Sequence, residues 1–132
     1  MGKIDKPIRL GRGWALVRCQ VALSEPAWNK LLKGVRKECR TAWPAGLHAS
    51  QTTFEFSDMK PGYGPVSIIT LSPEMLKRPT VVILALLAHE AVHFKQANER
   101  LMHTTFDVET EAYMVQAVAL DIWYKIKRFV RN

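Results

Sequence analysis

With 132 residues, 48% of them hydrophobic and 23% charged, the chain carries apolar material for one compact domain over residues 1–132 and has no room for a second of ordinary size. The longest apolar run, residues 81–88, falls far short of the roughly 20 residues needed to cross a bilayer, and the charged opening residues lack the apolar stretch of an export signal. A cytoplasmic protein without membrane contact is therefore expected. The net charge of +7 permits affinity for nucleic acid, but the cations are dispersed along the chain and no nucleic-acid motif accompanies them. One group, Lys33, Arg36, Lys37 and Arg40, has the spacing of one solvated helix face. Cys19 and Cys39, twenty residues apart, fit neither a C-x-x-C metal pair nor a disulfide scaffold and read as reduced thiols.

In chain order, Trp14, Leu16 and Arg18 alternate with Ala15, Val17 and Cys19, the period of a short strand. Ser24, followed by Glu25 and Pro26, reads as the cap of a helix whose apolar face is Trp28, Leu31, Leu32, Val35, Cys39 and Trp43, closed by Pro44 and Gly46. Residues 53–57 alternate again, a turn-rich stretch follows, and residues 66–71 form a β-branched run, which together predict a hairpin. Ser72, Pro73 and Glu74 predict a short helical turn. Pro79 then opens a helix that is apolar up to residue 88. A last helix is predicted from about Asp107 to Arg128, with Val108, Ala112, Val115, Ala119, Ile122, Ile126 and Phe129 as its apolar seam.

His89, Glu90 and His93 spell H-E-x-x-H on the first of these two helices. Residues four apart lie on the same helical face, so the two imidazoles can grip one divalent metal. Glu90 lies about 100° further round, where a carboxylate can act as general base on a water at that metal. The apolar run before the motif predicts a buried helix with its histidines in the interior. A catalytic zinc usually takes three protein ligands. The extended pattern with a third histidine is absent, because Gln96 and Glu99 occupy its glycine and histidine positions. His103, Glu109 and Glu111 remain candidates, and the helical wheel does not choose among them.

The histidine motif followed by Glu109-x-x-Ala112 resembles the zincin metallopeptidases of the gluzincin type, including small phage-encoded minimal zincins with a Glu-x-Glu-Ala-Tyr segment and a glutamine soon after the second histidine, matched here by Gln96. The similarity covers residues 66–116. It implies Zn²⁺ held by His89, His93 and Glu109, and Glu90 as general base in peptide hydrolysis. Tyr113 stands where those families carry Asp or Asn. The resemblance also implies that the strand before the motif helix borders the cleft and receives an extended peptide on its edge. The expected architecture is α+β: an N-terminal helix, a small antiparallel sheet, the motif helix and a long C-terminal helix. His48, Tyr63, His103 and Tyr113 are the possible oxyanion donors. The competing functions are a zincin-like binding protein without turnover and a basic helical nucleic-acid-binding protein with structural histidines.

Overall fold

The computed structural model describes residues 4–11 and 15–131; Trp14, part of the expected N-terminal alternation, lies outside them. Strand β1 (Ile8–Arg9), strand β2 (Arg18–Ala22) and helix α1 (Glu25–Leu31) come first. They are followed by β3 (Ala49–Phe54), β4 (Val66–Leu71), α2 (Thr80–Met102) and α3 (Val108–Ile126). The α+β class is as expected. The sheet, in the order β1-β2-β4-β3, is mixed rather than antiparallel. β2 and β4 run parallel, with Arg18 opposite Val66 and Ala22 opposite Thr70, because the intervening chain carries α1 over one face and returns through β3. The expected hairpin exists as the antiparallel pair β3–β4, displaced to begin at Ala49 and end at Phe54. Residues 56–58 form a 3₁₀ turn instead of strand.

β4 is buried along its whole length because both faces of the sheet are covered. One face packs Val21, Ile69 and Leu71 against Ile83, Leu87, Ala91 and Phe94 of α2 and Val118, Ile122 and Ile126 of α3. The other face packs Ala22, Val66 and Ile68 against Trp28, Leu31, Leu32 and Val35. β4 also has strands on both sides, so the expectation that its edge receives a peptide is overturned: both of its ladders are filled. The exposed edge nearest α2 belongs to β3.

Ser24 caps α1 as expected, its hydroxyl accepting the Ala27 N–H at 3.3 Å. The helix nevertheless ends at Leu31, far short of Pro44, and passes through a 3₁₀ turn over Leu32–Gly34 into extended Val35. Two backbone bonds, Arg36 N–H to the Asp58 carbonyl (2.8 Å) and Lys60 N–H to the Gly34 carbonyl (2.9 Å), compete successfully with helix continuation. The predicted apolar set still enters the core, with Cys39 and Trp43 packed against it. The four-cation helix face does not form. Arg36 Nε donates to the Met59 carbonyl at 3.1 Å and Arg40 Nε to the Val35 carbonyl at 3.0 Å.

α3 begins as predicted, with the Asp107 carboxylate accepting the Thr110 N–H at 2.8 Å. Its seam is buried only towards the C-terminal end: Ile122 and Ile126 are fully enclosed, whereas Val108 is 82% exposed. Ser72 precedes a 3₁₀ turn over Met75–Lys77 whose N-cap is Glu74, and the Ser72 hydroxyl accepts the Met75 N–H at 3.1 Å. Cys19 and Cys39 are free thiols, and burial, helped by the charge of Asp121, pushes Cys19 up to about 12. No helix among the described residues is long and apolar enough to cross a membrane.

Candidate metal centre

α2 buries one stripe only. Ile83, Leu87, Ala91 and Phe94 recur at four- and three-residue steps and face the sheet. His89 and His93 fall beside that stripe and are exposed, so the expectation of interior histidines is corrected. The apolar run before them did not bury the helix all round, because Val81 (72% exposed) and Leu84 face away from the sheet. Glu90 lies on the buried side.

His89 Nε2 and His93 Nε2 approach to 3.2 Å, with ring planes at 76°. Zinc–nitrogen bonds of about 2.0–2.1 Å at a tetrahedral angle set two ligand nitrogens roughly 3.3 Å apart. The pair therefore has the spacing of a chelate. His93 Nδ1 lies 3.3 Å from Gln96 Oε1; in the tautomer protonated at Nδ1 the ring donates to that amide oxygen and leaves the Nε2 lone pair for a metal. The donor chemistry fits a zinc ion.

Glu90 completes the group: its carboxylate and the two imidazoles each offer a ligand atom within 4.8 Å of one another. Glu90 accepts no hydrogen bond among the described residues. Burial raises its carboxyl above the usual glutamate range, and the charges of His89 and His93 pull it part of the way back. A carboxylate of raised basicity beside two metal-type donors is suited to accept a proton.

Glu109 stands outside this group, exposed in the first turn of α3. Glu111 is committed elsewhere. Its Oε2 lies 3.2 Å from Lys95 Nζ, and Lys95 also meets Glu99 at 2.9 Å. Burial alone would depress the Lys95 ammonium, but hydrogen bonds and charges from both carboxylates outweigh it and hold the group above its ordinary value. Glu99 is drawn below the usual glutamate range by Lys95 first and then by the Phe106 N–H, 2.9 Å away. This cluster joins α2, the connecting loop and the start of α3. Sequence reading passed over Lys95, although its four-residue step to Glu99 and its position beside Phe94 on the core stripe were available signals.

The structure does not gather the other candidates at the histidines. His103 is the left-handed C-cap of α2 (φ 52°) and lines a shallow depression with Glu99, Arg100 and Thr104. His48 lines a depression with Trp43 and Pro73. Tyr63 lies against Gly34 in a third. Tyr113 is 69% exposed on α3.

The chain matches no protein-family model, no curated protein and no solved structure.

Proposed function

We propose that the chain is a zinc-dependent peptidase of zincin type, with His89 and His93 as metal ligands and Glu90 as general base. The observation that carries this reading is the convergence of the two Nε2 atoms at 3.2 Å beside a buried carboxylate that accepts no hydrogen bond among the described residues. Glu109, which stands outside the His89–Glu90–His93 group, is assigned as third ligand from the Glu109-x-x-Ala112 resemblance; its carboxylate has no ion-pair partner among the described residues, whereas that of Glu111 pairs with Lys95. His89, His93 and Glu109 would hold the zinc, which when bound would supply Lewis-acid polarisation of the scissile carbonyl and a water of lowered pKa, toward about 7.

The protein's own groups do the rest. Gln96 holds the His93 ring in the tautomer that presents Nε2. Glu90 accepts a proton from the attacking water and passes it to the leaving amine; its raised basicity favours the first transfer and its proximity the second. The free edge of β3, which packs against α2, is the place where an extended peptide can add a strand. Zinc content and peptide turnover of the wild type and His93→Ala test the reading. Equal zinc content in the two proteins would overturn it.

A further inference from the structure

The sheet and α1 together build a second site on the opposite side of the protein from the core under α2. Arg9 and Gln20 are cross-strand partners, and Arg18, two residues before Gln20, shares their face. Lys30 and Lys33, one helical turn apart at the end of α1, approach the same place. They line a cleft of about 380 Å³ whose floor includes Leu31, Met59 and Val66 and whose lining contains no acidic residue. Among the described residues none of the four cations has an ion-pair partner. Lys30 Nζ donates to the Asp5 carbonyl at 3.0 Å, which leaves its charge uncompensated.

The cleft also has an aromatic wall. Tyr63 is 56% exposed, and its ring is seated on Gly34 so closely that a Cβ there would stand 2.6 Å from Cδ1. Gly34 thus holds an exposed ring beside four cations. An anion alone would need the charges but not the ring. A phosphate ester of a nucleoside uses both, its phosphates on the cations and its base on the ring.

We propose that this cleft binds nucleotide phosphates, with Arg9, Arg18, Lys30 and Lys33 holding the phosphate groups and Tyr63 stacking the base. The volume suits one nucleotide. A free nucleotide and one residue of a nucleic-acid strand share this chemistry. The neighbouring surface separates them: Lys125 Nζ, paired with Asp121 at 3.4 Å, donates to the Arg9 carbonyl at 3.1 Å and, with Lys6, Arg128 and Tyr124, lines a second depression at β1 along which a strand would continue. This inference is independent of the metal centre.

The test is binding of ATP and of a labelled oligothymidylate to the full chain at fixed salt. Arg18→Glu/Lys33→Glu should weaken both by about tenfold or more and reduce the oligonucleotide salt slope by about 2, while Lys77→Glu, an exposed reversal outside the cleft, changes affinity less than about twofold. Both altered residues are exposed, so folding is preserved. Tyr63→Ala and Gly34→Ala should weaken ATP but not inorganic pyrophosphate. Arg128→Glu identifies the source: loss of oligonucleotide affinity with ATP unchanged assigns a strand, and no change in either assigns a free nucleotide. The proposal is overturned if neither ATP nor oligonucleotide binds at low salt, or if Lys77→Glu weakens binding as much as the cleft variant. It is also overturned if polyglutamate competes equally and Tyr63→Ala has no effect, since charge alone would then explain the binding.

Discussion

Lys95 Nζ lies 3.2 Å from Glu111 on α3 and is almost fully enclosed, so one ammonium joins the two long helices. Removing it leaves Glu99 and Glu111 facing each other without a cation. Lys95→Ala should therefore cost about 2 kcal/mol in urea unfolding, discounted from the cost of breaking a fully buried pair because Glu111 is partly exposed. Glu111→Gln keeps the Glu99 pairing and should cost under about 1 kcal/mol. Equal losses in the two variants would contradict this account of the cluster.

The same cluster sets an acid limb. Glu99 is held below the usual glutamate range in the folded protein, so its stabilisation is complete above that range and is lost as the pH falls through its lowered folded value. Asp107, lowered by the Thr110 N–H and hydroxyl, acts in the same direction. Stability measured against pH should fall on the acid side of the ordinary carboxylate range, and Glu99→Gln should flatten that fall. An unchanged acid limb in Glu99→Gln would remove the linkage.

In the proposed site Gln96 touches His93 and is not itself a metal ligand. Gln96→Ala should weaken zinc affinity by about 10- to 100-fold, as loss of a partner that orients a ligand does. Its exposed position predicts little change in stability. Nitrogen chemical shifts of the His93 ring should show Nδ1 protonated in the wild type and a mixed tautomer population in the variant. A wild-type ring protonated at Nε2 would contradict the assigned role.

The two glutamates at the start of α3 should separate by readout. Glu109→Gln should lower zinc affinity and leave the unfolding midpoint of the zinc-free protein in place, whereas Glu111→Gln should lower that zinc-free midpoint and leave zinc affinity in place. The opposite pattern would make Glu111 the ligand and place its contact with Lys95 second.

Much of this arrangement was legible in the sequence, and the exceptions have physical causes. The caps at Ser24 and Asp107, and the Ser72 hydroxyl bond ahead of the following 3₁₀ turn, were readable because a short polar side chain satisfies nearby N–H groups regardless of distant structure. The apolar set from Trp28 to Trp43 was read correctly as core, but its helical spacing concealed the break at Gly34, which depends on backbone bonds to residues 58 and 60. The parallel pairing of β2 with β4 is likewise a tertiary choice with no local signature. At the metal centre the i, i+4 histidine pair was legible from spacing alone. The exposure of that pair was not, since residues 81–88 are apolar on both sides of the helix while only one side meets the sheet.

The central claim separates a base from a ligand, and Glu90→Gln tests it most directly. Zinc content and peptide hydrolysis are measured for wild type and Glu90→Gln, both zinc-loaded, on a diverse peptide library near neutral pH. The account predicts equal zinc content and a loss of hydrolysis of about 10²-fold or more. Equal hydrolysis by the two proteins at equal zinc content would contradict it.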